Sequence, residues 1–274
     1  MAEDARIIER QFHIPVADGG LFVKMLLHAT PESEEVRPTW VFLHEGLGSV
    51  GQWKSFPYEL CAATGCDGIV YDRVGHGRST PMRKARDEQF YQEEAKVYLP
   101  GLLHEMNVHR PLLFGHSDGA VIALKYASSF PDRTVGVVSE AAHVIIEDVT
   151  QKGIRDAYAQ YISTNLPEKL SRFHGEKTDA MFHAWADTWL DPVCADWNML
   201  EDLKAIRCPV LIVQGDRDQF GSRRQVDAIV ENVLGETGVL WLHDVGHVPH
   251  LNARAVVIAE TVRWAAPLVN KNAG

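Results

Sequence analysis

Four cysteines in 274 residues, Cys61, Cys66, Cys194 and Cys208, are too few and too scattered to staple a small secreted fold. They read as reduced, mostly buried thiols. No apolar run approaches the roughly 20 residues that a membrane-spanning helix needs. The opening residues Met1-Ala2-Glu3-Asp4-Ala5-Arg6 lead into no apolar segment, so they do not read as a signal peptide, and a cytoplasmic location is expected. Positive charge is in deficit: 27 Lys and Arg face 37 Asp and Glu, a formal charge of −10 that repels phosphate backbones and anionic membranes. No nucleic-acid or membrane partner is therefore expected, and a small molecule takes their place. The sequence also lacks internal repeats at solenoid or propeller periods, and it lacks low-complexity tracts.

What is present is an ordinary globular composition, 46% hydrophobic and 23% charged, long enough for one large domain or a domain carrying a subdomain. Residues 6–13 and 21–28 flank Asp18-Gly19-Gly20 and read as an N-terminal hairpin. Short apolar runs of the buried-strand type follow: Trp40-Val41-Phe42-Leu43, Gly68-Ile69-Val70-Tyr71, Pro111-Leu112-Leu113-Phe114, Val135-Gly136-Val137-Val138 and Pro209-Val210-Leu211-Ile212-Val213. Helical-looking segments lie between most of them. This alternation predicts an α/β fold, a mostly parallel sheet covered on both faces, with ligands at the carboxyl ends of the strands. Between Ser139 and Arg207 the rhythm breaks into a helix-like stretch bearing Tyr158, Tyr161, Phe173, Phe182, Trp185, Trp189 and Trp197. The expectation is a core of residues 1–139 and 208–274, with residues 140–207 inserted as a helical cap.

Pro111-Leu112-Leu113-Phe114 runs directly into Gly115-His116-Ser117-Asp118-Gly119, and a good helix-forming run follows from Ala120. Strand, sharp turn and helix are the context that a G-x-S-x-G nucleophile elbow requires. Small residues flank the serine because it sits in a strained conformation and side chains two positions away would collide with backbone. The helix N-terminus behind it supplies a positive dipole end and free amides, including that of Asp118.

With the loop His44-Glu45-Gly46-Leu47-Gly48-Ser49 and the turn Gly75-His76-Gly77-Arg78-Ser79, these features resemble the α/β-hydrolase superfamily over nearly the whole chain. The resemblance implies a mostly parallel eight-stranded sheet flanked by helices, a helical cap subdomain, and serine-hydrolase chemistry that needs no organic cofactor and no metal. It also implies the chain order nucleophile, acid, histidine.

A serine hydroxyl needs an adjacent base, itself oriented by a third group. Of thirteen histidines, His247 in Gly246-His247-Val248-Pro249-His250 matches the family's catalytic-histidine loop, ahead of His250 and His243. The family's G-x-x-D spacing from Gly215 points to Asp218 as the acid, with Asp216 as the alternative. The oxyanion amides are expected from Asp118 and Gly46, or Leu47 if the loop shifts by one. Glu45 stands where the family usually has glycine; it either turns to a local partner or reaches substrate or water. Candidate pocket residues are Glu45, Leu47, His116, His143, Trp185 and Trp189. The tryptophans suit an apolar or aromatic substrate, and they suit cap core equally well.

The expected reaction is hydrolysis of a carboxylic ester, thioester or lactone. Hydrolytic C–C cleavage of a diketone and perhydrolysis use the same residues, whereas serine at the elbow speaks against dehalogenase or epoxide hydrolase chemistry. Three other classes compete. Gly46-Leu47-Gly48-Ser49-Val50-Gly51, with Asp67 and Asp72 about twenty residues on, is a literal dinucleotide fingerprint and would make the chain an oxidoreductase. His243, Asp244, His247 and His250 are spaced closely enough for metal hydrolysis. A non-catalytic small-molecule receptor is the third. The chain is expected to be a monomer or homodimer.

Overall fold

The computed structural model describes residues 7–28, 37–87 and 89–270. The opening segment 1–6 and residues 271–274, both in the expected core, lie outside them. Eight strands, β1 (Ile7–Val16), β2 (Gly19–His28), β3 (Thr39–Leu43), β4 (Gly68–Tyr71), β5 (Pro111–His116), β6 (Gly136–Glu140), β7 (Val210–Gly215) and β8 (Thr237–Leu242), form one sheet in the order β1-β2-β4-β3-β5-β6-β7-β8. β2 is antiparallel to both of its neighbours, and every other pairing is parallel. The apolar runs are the inner strands because both of their faces are covered. β4, β5, β6 and β7 are buried along their whole length, whereas the edge strand β1 is largely open and the other edge, β8, is half-buried.

The hairpin forms with its turn one step earlier than expected. Ala17 and Asp18 make the turn, with Ala17 at φ 51°, while Gly19 and Gly20 already pair with Val16 and Pro15. Gly19 serves close packing: a Cβ there would lie 2.7 Å from a Val74 methyl.

Successive side chains of each strand enter different cores. Trp40, Phe42, Leu112 and Phe114 pack beneath the sheet with α1 (Phe56–Thr64). Val41, Leu43, Leu113 and Val137 pack on the other face, with the chain of α2 (Phe90–Glu93), which continues through a π-helical turn into α3 (Leu99–Glu105), and with α4 (Asp118–Ser129). Between β6 and β7 the chain carries α5 (Asp148–Ser163), α6 (Leu166–His174), α7 (Thr178–Leu190) and α8 (Leu200–Leu203), and no strand. After β7 come α9 (Arg223–Asn232), α10 (Pro249–Asn252) and α11 (Arg254–Asn270), the last returning to the α1 side. The four cysteines are buried thiols. No helix among the described residues is long and apolar enough to cross a membrane.

The lower core is fastened by aromatic rings: Phe42 stacks on Phe114 at 6.0 Å and meets Trp53 at 5.7 Å and Phe56 at 6.4 Å. Phe42→Ala should cost about 3–5 kcal/mol, read as a lower urea midpoint at unchanged m-value. A loss below about 1 kcal/mol would show that this cluster does not hold the sheet.

Candidate active site

Ser117 lies between the end of β5 and the start of α4, at φ 54° and ψ −119°. Its amide donates to the Glu140 carbonyl of β6 at 2.8 Å, which fixes the strained turn from the neighbouring strand. The flanking glycines are required by contact. A Cβ on Gly115 would stand 2.4 Å from the Gly119 carbonyl oxygen, and one on Gly119 would stand 2.0 Å from that of Leu43.

The histidine and acid loops after β8 and β7 converge on this serine. The Ser117 hydroxyl donates to His247 Nε2 at 2.9 Å, and His247 Nδ1 lies 2.9 Å from both Asp218 oxygens. Asp218 also accepts from the Phe220 amide and the Gln214 side chain, each at 2.8 Å. Asp216 turns elsewhere, to the His243 ring at 3.0 Å and the Asp244 amide at 2.8 Å. Burial pushes the Asp218 carboxyl up, but His247 and these hydrogen bonds outweigh it and hold the group below the ordinary carboxylate value. Burial likewise lowers His247, and Asp218, with smaller help from Glu45 and Glu140, carries it above 6.5.

The loop after β3 lies against the start of α4. His76 donates to the Gly46 carbonyl at 3.0 Å, and the Gly48 amide bonds the Glu45 carbonyl at 3.1 Å. Asp72 receives the Val50 and Arg78 amides at 2.6 and 2.8 Å, so the Gly75–Ser79 turn fastens this loop from behind. Gly46 is tight: a Cβ would lie 2.3 Å from Trp185 and 3.1 Å from Asp118 Oδ2. Asp118 opens α4, where its amide has no partner within the helix.

A hollow opens beside Ser117 and His247, lined by Glu45, Gly46, Leu47, His143, Trp185 and Trp189, with Ile154 and Phe220 completing its apolar wall. His116 faces away from it, toward a second hollow that Glu45 also lines, and its Nε2 donates to the His247 carbonyl at 2.7 Å.

Several residues at the site went unread in the sequence. The Asp118 side chain is gripped by Arg86 at 2.8 Å and Tyr91 at 2.7 Å, with His143 at 3.4 Å. Burial alone would raise its pKa, but Arg86 and His143 hold it well below the carboxylate range. Nothing in the sequence around Arg86 announces this, because the contact closes a loop across 32 residues. Glu140 did leave a signal, a carboxylate ending an otherwise apolar strand. It meets His250 Nδ1 at 2.5 Å behind His247. Burial pushes Glu140 up to about 7 and pushes the His116 and His250 rings down to about 3, so both imidazoles are neutral at pH 7.

The rival readings meet contrary geometry. After Gly46 the chain forms a short 3-10 turn, Val50–Trp53, and α1 starts only at Phe56, so no helix begins at Gly48 as a dinucleotide fingerprint demands. Gly48 is there because a Cβ would lie 2.8 Å from Glu45 Cγ. Asp67 is bonded to the His28 amide at 2.7 Å, and Asp72 is occupied as described. The four proposed metal ligands do not converge: His243 and Asp244 pair with Asp216 and Arg217, His247 with Ser117, and His250 with Glu140. Among the described residues, His116, Glu140 and His250 bring ligand atoms within 4.8 Å of one another, and His116 Nε2, His250 Nδ1 and Glu140 Oε1 are engaged in hydrogen bonds within the protein.

A strained serine at a strand-to-helix elbow, hydrogen-bonded in series to a histidine and an aspartate at the carboxyl edge of such a sheet, defines a hydrolase class of fold. The chain belongs to the Alpha/beta hydrolase family, whose model matches residues 40–260. It is similar to "Serine hydrolase BPHL" of Homo sapiens, 27% identical over 61% of this chain and 58% of that protein. It is also similar to the 2-succinyl-6-hydroxy-2,4-cyclohexadiene-1-carboxylate synthase of Klebsiella pneumoniae, 28% identical over 67% of each. The human and Caenorhabditis elegans relatives are matched over 58% and 61% of their length, so the chain spans about three fifths of these curated proteins. Among solved structures, an esterase from Exiguobacterium antarcticum shares the fold at TM-score 0.72 and 18% identity, covering 93% of this chain and 99% of that one.

The His247 titration tests the hydrogen-bonded series without reference to turnover. Its imidazole should titrate above 6.5 by NMR, and Asp218→Asn should lower that midpoint, while Asp216→Asn leaves it in place. Because the folded pKa is raised, the stabilisation from protonated His247 is complete below the unfolded value and is lost as pH rises through the folded one. A His247 midpoint that follows Asp216 would contradict the geometry.

Proposed function

We propose that the chain is a serine hydrolase of carboxylic esters, thioesters or lactones, with Ser117 as nucleophile, His247 as base and Asp218 as its orienting acid. One observation carries this reading: the unbroken series Asp218, His247, Ser117, with each link at 2.9 Å, opening onto a hollow. Ser117 Oγ attacks the carbonyl carbon as its proton passes to His247 Nε2. The amides of Gly46 and Asp118 hold the oxyanion, and the Arg86 and Tyr91 grip on Asp118 keeps the start of α4 in place. His247 returns the proton to the leaving group, and water then releases the acyl group by the same route.

Leu47, Ile154, Trp185, Trp189 and Phe220 give the hollow an apolar and aromatic wall, which suits an acyl or alcohol group of that character. In this reading residues 140–207 act as a cap over the core of 1–139 and 208–274, because α5 and α7 supply much of the wall above Ser117.

A fluorophosphonate probe followed by peptide mapping should label Ser117. Ser117→Ala should lose about 10⁴-fold or more in turnover of short acyl esters. With the wild type, kcat/KM should rise with pH through a midpoint above 6.5, since only neutral His247 accepts the proton. Labelling at another residue, or undiminished turnover in Ser117→Ala, would overturn the proposal; absence of any turnover with intact labelling would favour a receptor.

A further inference from the structure

The hydrolytic scheme makes no use of Glu45, and its surroundings are unusual for a carboxylate. It lines the hollow of Ser117 and His247 on one side and the hollow of Trp53, Lys54 and His116 on the other. Among the described residues, no hydrogen bond or ion pair reaches its side-chain oxygens, whereas its backbone carbonyl takes both Arg73 Nη2 at 2.6 Å and His44 Nδ1 at 2.7 Å. Burial pushes the Glu45 carboxyl up and Asp118 adds to that, while His247 and Arg73 pull it back down. Asp118 is already matched by Arg86, whereas Glu45 has no ion-pair partner among the described residues and feels His247 and Arg73 only at longer range.

An unpaired, half-buried carboxylate is costly. Beside an oxyanion it also opposes the charge that develops in the reaction. Both costs fall if the bound substrate brings a positive charge. The Ser117 hollow suits one: no lysine or arginine lines it, and Trp185, Trp189 and Phe220 bring aromatic rings to its wall, a side-chain type that attracts cations. The second hollow differs, because Lys54 stands on its wall.

We propose that Glu45 makes the enzyme selective for substrates bearing an ammonium-type cation, which lies in the Ser117 hollow between the Glu45 carboxylate and the rings of Trp185, Trp189 and Phe220. The inference rests on the serine-hydrolase reading and adds a substrate class to it. The cation offsets the carboxylate as the oxyanion forms, so the preference resides in kcat/KM.

The test uses isosteric pairs that differ only in charge. A choline ester and its 3,3-dimethylbutyl counterpart vary the alcohol; p-nitrophenyl esters whose acyl chains end in trimethylammonio or tert-butyl vary the acyl group. The wild type should favour the cationic member of at least one pair by about tenfold or more, and that preference should shrink with rising salt. Glu45→Gln should bring the cationic-to-neutral ratio of kcat/KM close to one. A wild-type ratio of one or less in both pairs, or a ratio that survives Glu45→Gln, would overturn the proposal, and the wild-type ratio decides the matter should the variant fail to fold. Ser117 labelling by a neutral fluorophosphonate separates the two levels. Labelling without cation preference rejects the role of Glu45 alone, whereas failure to label rejects the hydrolase reading beneath it.

Discussion

The close approach of the first turn of α4 to the end of β3 is the constraint on which the rest of the site depends. Gly119 passes so near the Leu43 and His44 carbonyls that no side chain fits. This contact drives the chain through the left-handed turn at Ser117, at a conformational cost of about 1–3 kcal/mol that the surrounding structure must carry. The Glu140 carbonyl takes the Ser117 amide, and the parallel pairing of β5 with β3 and β6 holds both partners in register. From the same contact follow the aim of the α4 N-terminus, the seat of the Gly46 loop beside it, and the exposure of the serine to His247.

Around this elbow, negative charge is matched case by case. Asp218 is spent on His247, Gln214 and the Phe220 amide; Asp118 on Arg86 and Tyr91; Glu140 on His250. For Asp218 and Asp118 fixed donors outweigh the cost of burial, whereas Glu140 keeps a raised pKa despite His250; the bonds also stiffen the loops that carry them. Glu140 ties two parts together, since its carbonyl holds the nucleophile while its side chain holds α10, the segment just after His247. His116 completes the link through the His247 carbonyl. Among the described residues no hydrogen bond or ion pair reaches the side-chain oxygens of Glu45, and the proposed cationic substrate would supply its counterpart.

Much of the fold was legible because inner strands of a parallel sheet are covered on both faces and so appear as continuous apolar runs, as in Leu112-Leu113-Phe114. The edges were less clear: β8 alternates weakly, since it is half open to solvent. The hairpin turn was displaced because Gly19 serves packing against Val74 rather than turn conformation, a distinction invisible without the partner. In the site, the structure brings Ser117, Asp218 and His247 together, and Asp216 bonds its own loop instead. Arg86, Tyr91 and Phe220 escaped notice because their roles arise from loop conformations that bring distant, locally unremarkable residues together. His116 was placed at the site, but its direction, behind His247 instead of over Ser117, depends on a hydrogen bond spanning 131 residues.

The central claim is that this series of hydrogen bonds makes Ser117 a covalent nucleophile. The most direct measurement is rapid acid quenching during turnover of an activated ester, followed by intact-mass analysis and peptide mapping. An acyl group stoichiometrically attached to Ser117 in the pre-steady state, forming and decaying at rates consistent with kcat, is the predicted result. Steady turnover with no acylated Ser117, or with acyl on another residue, would contradict the account.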